Sequence, residues 1–167
     1  EADYKNLQIF YFTDKVFYEN AGRAKTRGLE VEATAALGRG LTLFGNFGLL
    51  DFDFKEYISA QTSIPPVDIA DIAHRAYAAD WTFSAGFTYE TRPFRSGAYL
   101  EFSADAQSTD DYQTIVVPIS DPDLAKAATI ESHWMVNARV SLVDLPISDV
   151  RATVSLWGKN LLDEREA

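Results

Sequence analysis

Apolar and polar residues alternate with a period of two along most of the chain. From Val150 to Leu156, for example, every second residue is apolar and the residues between them are polar. Successive side chains of a β-strand point to opposite faces, so this pattern predicts a strand with one apolar and one polar face. Similar patterns predict seven strands, at approximately residues 4–12, 21–37, 40–54, 76–91, 96–108, 132–143 and 149–160.

Helical periodicity is weak throughout the sequence. No segment carries the apolar stripe of an amphipathic helix, and residues 121–129 allow at most a short loop helix with Asp121 as its N-cap. The sequence therefore predicts an all-β fold, an antiparallel up-and-down meander.

The connections between the predicted strands alternate in length. Residues 37–40, 92–95 and 144–148 are short and marked by Gly or Pro, whereas residues 55–75 and 109–131 are long and rich in Ser, Thr, Pro and Asp. In a meander, every tight turn then lies at one end and every long loop at the other. This asymmetry is typical of outer-membrane barrels.

Charged side chains recur on the polar face of the predicted strands: Glu30, Glu32, Glu101, Asp105, Arg139 and Arg151. Such a face suits a water-filled barrel lumen and equally the outside of a soluble sheet. Several predicted strands exceed the usual length of about 5 to 6 residues and are long enough for a tilted membrane span of about 9 to 11. Strand length therefore favours a transmembrane barrel with these six residues facing the lumen.

Large aromatic residues lie towards the ends of the predicted strands. One group is near a tight turn and the other is towards the long loops: Phe87, Tyr89 and Phe94, and Tyr57, Tyr77, Trp134 and Trp157. We interpret them as the two aromatic girdles of a membrane barrel. The alternative is the core and edge aromatics of a soluble β-domain.

Composition narrows the possible functions. The chain has 167 residues, no Cys and a net charge of −10, which excludes disulfides and thiol chemistry and disfavours nucleic acid as a partner. It has no apolar run long enough for a transmembrane helix, and its first residues do not form a signal peptide.

The number of predicted strands is too small for a complete barrel. Single-chain bacterial barrels contain at least about 8 strands in even number, so seven strands predict part of a larger barrel.

Three motifs resemble TonB-dependent outer-membrane receptors. The segment Asn20-Ala21-Gly22 runs into Gly28-Leu29-Glu30-Val31-Glu32, residues 43–54 are similar to the strand that follows in the family, and Asn160-Leu161-Leu162-Asp163 is similar to a signature before the final strand. The family positions are Asn20, Gly22, Gly28, Asn160 and Asp163. Leu162 departs from the usual Phe.

The resemblance implies a non-enzymatic transporter in the bacterial outer membrane, in contact with its lipid. It implies that residues 1–167 are a C-terminal part of the barrel, and that the final strand, the plug domain and the TonB box lie outside this sequence. The expected partners are the TonB complex, reached through the plug, and a scarce nutrient, for which family frequency favours a ferric siderophore. The resemblance is also compatible with cobalamin, haem or oligosaccharides as the nutrient. A soluble lipocalin-like or β-sandwich binding module and a passive porin remain alternative protein classes.

Candidate ligand contacts are the loop aromatics Tyr57, Tyr112 and Trp134, because ligands bind in the mouths of barrels. Catalysis is not expected, since neither His74 nor His133 lies beside a nucleophile motif. The loop acids could bind Ca²⁺ but lack regular metal-loop spacing, so we interpret them as solvated and expect no metal or cofactor: Asp68, Asp71, Asp110, Asp111, Asp121 and Asp123.

Overall fold

The computed structural model describes residues 1–12, 16–20, 22–59, 65–117 and 119–164, with the backbone alone for residues 9–12 and 16–20. The elements are β1 (Ala2–Lys5), β2 (Gln8–Phe12), β3 (Val16–Asn20), β4 (Arg23–Gly38), β5 (Leu41–Glu56), β6 (Ile58–Ser59), β7 (Val67–Asp68), β8 (Trp81–Glu90), β9 (Tyr99–Thr109), β10 (Tyr112–Gln113), α1 (Pro122–Ala127), β11 (Thr129–Ile130), β12 (Trp134–Ile147) and β13 (Val150–Gly158). Across these ranges, no helix is both long and apolar enough to cross a membrane.

Seven of the strands form one antiparallel sheet in the order β1-β4-β5-β8-β9-β12-β13. Three further pairs, β2 with β3, β6 with β7, and β10 with β11, form separate two-stranded sheets in the connections. The prediction of an all-β meander of seven strands is confirmed.

The first predicted strand is divided in two. Strand β1 ends at Lys5, and the chain turns at Asn6, whose φ of 56° lies in the left-handed region that Asn tolerates. The Asn6 amide donates to the Gly22 carbonyl at 2.7 Å, which holds this turn against the start of β4. Residues 8–12 then pair with β3 instead of continuing in the main sheet.

The predicted tight turn at residues 144–148 was wrong in position. Strand β12 continues to Ile147, and its register against β13 shifts between Leu142 and Leu145. Such a bulge absorbs the extra residue. Pro146 fits in this strand because pairing with β9 ends at Val143, so no neighbour on that side needs its missing N–H.

Strand β8 begins at Trp81, later than predicted from the sequence. The preceding residues belong to the loop, where Ala76 bridges to Gln113. The period-two pattern does not distinguish a strand from an extended loop segment that leads into it.

The register aligns apolar residues of neighbouring strands on one face of the sheet. Leu29 is paired with Leu49, which is paired with Trp81 on its other side. Many of these side chains are exposed, and Leu156 retains 75% of its accessible surface. No described part of the chain covers this face, which is not the behaviour of a sheet packed in a soluble core.

Aromatic side chains border the apolar face at both ends. At the loop end, Phe83 and Trp134 meet edge to face with ring centroids 5.8 Å apart, and at the turn end Tyr89 stacks on Phe102 at 6.4 Å. Trp157 does not belong to this border, because its register partner Arg139 places it on the polar face.

A small hydrophobic core lies at the loop end of the sheet. Its buried members come from β4, β5 and the segment after β5: Ala24, Phe54, Tyr57 and Ile69. Six partly buried side chains pack around it, from the residue before β2, from β5 and from both long connections: Leu7, Phe52, Ala70, Ala73, Val116 and Val117. Helix α1 lies in the second connection, where the Asp121 carboxylate accepts from the amides of Asp123 and Leu124. The predicted loop helix and its cap are therefore present.

Candidate functional site

The polar face of the sheet carries all six charged residues that the sequence placed together. The register puts them in successive rows from the middle of β4 to the turn end of β13: Glu30, Glu32, Asp105, Arg139, Glu101 and Arg151. Long strands with strict alternation explain this arrangement, since side chains of one parity keep to one face.

Four of the six charged residues are engaged with neighbouring groups. Arg139 donates from Nη2 to Glu101 Oε1 at 2.8 Å, and Asn137 donates to Asp105 Oδ2 at 2.8 Å. Arg151 donates to the carbonyls of Ser96 and Asp144 at the turn end. These contacts join β9, β12 and β13 across the polar face.

Glu30 and Glu32 differ from the other four. Within the described part of the chain, neither carboxylate has an ion pair or hydrogen bond, and both side chains are exposed. Glu30 is paired with Gly48 and Glu32 with Asn46, so no cation lies opposite either of them on β5. Two unneutralised carboxylates therefore project from the middle of β4 on the polar face.

Two adjoining hollows open at the loop end. The larger, of about 730 Å³, has a floor of Gly28 and Gly48 and is bordered by Glu30, Tyr77 and Asp80. The smaller, of about 390 Å³, is lined by uncharged groups and a histidine, including Asn46, Ser84, Gln107, His133 and Met135. Thr82, Thr109 and Tyr112 line both.

The structure does not bring the three predicted ligand-contact aromatics together. Tyr112 lines both hollows, whereas Tyr57 has an exposed fraction of 0% and is packed inside the loop-end core. Trp134 lies on the apolar face against Phe83. Burial removes Tyr57 from the hollows, and strand parity places Trp134 on the opposite face of the sheet. A position near a loop in the sequence reveals neither.

Tyr77 and Arg75 belong to this region although the sequence did not point to them as site residues. The Tyr77 side chain is 75% exposed at the rim of the larger hollow. Arg75 donates to the carbonyls of Ala78 and Leu50 and pairs with Asp80, so it fixes the loop to β5 at Leu50. The sequence carries no motif that distinguishes Arg75 from other loop cations.

The two long connections are joined to each other. The His74 amide donates to the Val116 carbonyl at 2.7 Å, and the Tyr77 amide donates to the Gln113 carbonyl at 2.8 Å. Together with the shared hydrophobic core, these bonds make the connection between β5 and β8 and the connection between β9 and β12 one structural unit.

Asp68 organises the turn of the first connection. Its Oδ1 accepts from the amides of Tyr57 at 2.9 Å and Ala70 at 3.0 Å. These two bonds, the one from Tyr57 first, hold the pKa of Asp68 below its ordinary value because they stabilise the carboxylate. Since the pKa is lower in the folded loop, the contribution of Asp68 to loop stability is present above the pKa of the unfolded chain and is lost as pH falls through the folded value.

We expect acid to loosen the turn in which Asp68 holds the amides of Tyr57 and Ala70. Hydrogen exchange of the Tyr57 and Ala70 amides, corrected for intrinsic rate, should accelerate below about pH 4. Asp68→Asn should remove most of this pH dependence. Asp71→Asn is the matched control and should leave it unchanged, so an equal effect of the two variants would contradict the assignment to Asp68.

The family-motif residues shape the backbone instead of lining the hollows, except Gly28. Gly22 has a φ of 79°, and an added Cβ would lie 2.8 Å from the Glu56 carbonyl oxygen. The Asn160 amide donates to Asn137 Oδ1, and the Asn160 side chain bonds the backbone of Glu164 in both directions. The Asp163 amide donates to the Asn160 carbonyl. Asn20 lies in β3, and its side chain is outside the described residues.

Three of the six loop acids accept hydrogen bonds from backbone amides. Asp68 and Asp121 accept from amides as described, and Asp110 accepts from the Asp111 amide. Over the described ranges there is no group of three or more His, Asp or Glu side chains that could hold a metal ion.

Comparison with known families decides among the remaining alternatives. The family described as TonB dependent receptor-like, beta-barrel matches residues 1–161. The chain belongs to the TonB-dependent receptor family. Its members are transporters of the bacterial outer membrane, not enzymes, and the family implies interaction with TonB. This decides against the soluble lipocalin-like module, and the seven-stranded meander is consistent with a part of a TonB-dependent receptor barrel.

Proposed function

We propose that this TonB-dependent receptor takes up a ferric siderophore by active transport, and that residues 1–167 form a C-terminal part of its barrel wall. A plug domain outside this sequence would occupy the lumen and transmit energy from TonB. The choice of nutrient follows from the frequency of ferric siderophores among such receptors. The family match over residues 1–161 is the observation that carries the proposal.

The two faces of the sheet support a barrel wall. The exposed apolar face with its aromatic borders suits contact with lipid, and the polar face suits a lumen filled by water and a plug. From Trp81 to Tyr89 the strand rises by about 27 Å, which a tilt of about 40° reduces to about 20 Å across the membrane. This height is close to the apolar band of about 25 Å in outer-membrane barrels.

The carboxylates of β4 support the assignment of the polar face to the lumen. Glu30 and Glu32 project from the face that would line the lumen, without a cation among the described residues. Unneutralised carboxylates are costly to remove from water, and a water-filled lumen keeps them hydrated.

The hollows at the loop end support capture of a nutrient from outside the cell. They lie at the mouth of the proposed lumen, beside two connections whose described residues are joined by hydrogen bonds. Ligands bind preferentially in the mouths of barrels, where loops supply specificity and strands supply rigidity.

We expect the full-length receptor to be an outer-membrane protein whose uptake of ferric siderophore requires TonB. Cells expressing it under iron limitation should accumulate radiolabelled iron from the siderophore, and deletion of the receptor gene or of TonB should abolish accumulation. Cell fractionation and heat-dependent gel mobility test the location of the protein.

The TonB deletion separates active transport from a passive channel. Uptake that persists without TonB and follows the external concentration would support a passive porin. Uptake of iron that does not change when the receptor gene is deleted would reject the siderophore and leave the family's other nutrients as substrates.

A further inference from the structure

We propose that the larger hollow binds a ligand surface that is uncharged or positively charged and rich in hydrogen-bonding groups, and that it discriminates against anionic ligands. The proposal rests on the proposed function, because it names the chemistry of the transported nutrient at the hollow that the loop end forms.

The charge of the hollow is set by one carboxylate. Glu30 and Asp80 are the acidic residues that line it. Asp80 is paired with Arg75, whose guanidinium also donates to the carbonyls of Leu50 at 3.2 Å and Ala78 at 2.9 Å. Arg75 is thereby engaged on three sides, and Glu30 is left without a neutralising group in the described part of the wall.

The cations of the polar face lie elsewhere. Arg139 is engaged by Glu101, and Arg151 is bonded to carbonyls at the turn end. Neither lines either hollow. An anionic ligand would therefore be repelled by the Glu30 carboxylate, because no cation from this wall compensates the charge. Such contacts between like charges lower the affinity for anionic ligands relative to neutral ones.

The shape of the hollow suits a ligand that stacks on aromatic rings. Tyr77 at the rim and Tyr112 in β10 present their side chains, and Gly28 and Gly48 add no side chains of their own to the floor. The Thr82 hydroxyl lies beside Gly48, where an added Cβ would be 2.8 Å from Oγ1. Aromatic rings beside a carboxylate bind cations through their π-faces, and they bind hydroxylated groups by stacking and hydrogen bonds.

The adjoining hollow extends this surface without adding a fixed charge. It is lined by hydroxyl and amide groups together with His133 and Met135. Such donors and acceptors recognise hydroxyl, amide and hydroxamate groups of a neutral ligand. The two hollows share Thr82, Thr109 and Tyr112, so one ligand could contact both.

Two sources could supply this chemistry, a neutral ferric chelate of hydroxamate type and a neutral oligosaccharide. Binding to the detergent-solubilised full-length receptor is measured by titration calorimetry with three probes: a ferric tris-hydroxamate complex, which is neutral, a ferric tris-catecholate complex, which is anionic, and a maltooligosaccharide. The variants are Glu30→Gln and Tyr112→Ala. Glu32→Gln is the matched control, because Glu32 shares the strand, face and charge of Glu30 and does not line the hollow.

We expect one neutral probe to bind more tightly than the anionic complex. Glu30→Gln replaces a charge-assisted hydrogen bond by a weaker neutral one, which should weaken neutral binding by about ten-fold, and binding of the anionic complex should improve in the same variant. Tyr112→Ala should also weaken neutral binding, and Tyr112→Phe, which keeps the ring, should restore most of it because stacking supplies the contact. Glu32→Gln should bind as the wild type does.

The outcomes separate this inference from the proposed function. Binding of the oligosaccharide but not of either chelate would reject the ferric siderophore and keep the inference. Tighter binding of the anionic complex by the wild type would overturn the inference, as would equal effects of Glu30→Gln and Glu32→Gln. Failure of both neutral probes to bind would overturn it as well.

Discussion

Ala85→Arg should destabilise the membrane-inserted receptor by about 2 to 4 kcal/mol, the cost of a cation near the bilayer midplane on the lipid face of a barrel. Ala85 lies midway between Trp81 and Tyr89 on the apolar face of β8, in a row of small residues with Gly45 and Ala106 as its register partners. An arginine at this depth cannot reach either headgroup region without distorting the strand or the bilayer.

The adjacent residue supplies the control. Ser84 is half-buried like Ala85 and belongs to the same strand, but it projects from the polar face in a row with Asn46 and Gln107. Ser84→Arg should cost less than about 1 kcal/mol, because its side chain enters the lumen. The measurement is denaturant unfolding of the full-length receptor in phospholipid vesicles. Equal destabilisation by the two variants would reject the assignment of the apolar face to lipid.

Strand parity was the part of the fold that the sequence predicted best. Long segments with strict alternation, such as the one containing Glu30 and Glu32, determine which residues share a face, because a slip of one residue would invert every side chain. The six charged residues on one face follow from this rule alone. The turn near Pro146 was misplaced because a bulge lets the strand pass a residue that usually ends pairing.

The candidate site was harder to predict from the sequence. Tyr112 at the hollow and Tyr57 in the core are both loop aromatics, and what separates them is tertiary packing of the two connections. Arg75 similarly acquires its role through carbonyls of Leu50 and Ala78, which no side-chain pattern reveals. Loop conformation depends on such non-local contacts, whereas strand faces depend on local periodicity.

Ile69→Ala should open the joined connections without unfolding the barrel. Ile69 is 4% exposed in the loop-end core with Phe54 and Tyr57, whereas Ile72 in the same connection is 56% exposed. Truncating a buried isoleucine costs about 2 to 5 kcal/mol, because transfer energy is lost and a cavity remains. This cost corresponds to a rise of roughly thirty-fold or more in the local opening equilibrium.

Hydrogen exchange of the full-length receptor measures this opening directly. In Ile69→Ala, amides that join the two connections should exchange faster together, including those of His74 and Tyr77, while amides in β8 and β9 should keep their protection. Ile72→Ala should change the opening free energy by less than about 0.5 kcal/mol.

Faster exchange confined to the first connection would show that the two connections open separately, and the hollows beneath them would then be bounded by two independent loops. A concerted response would mean that a ligand ordering one connection also orders the other, because the same core stabilises both.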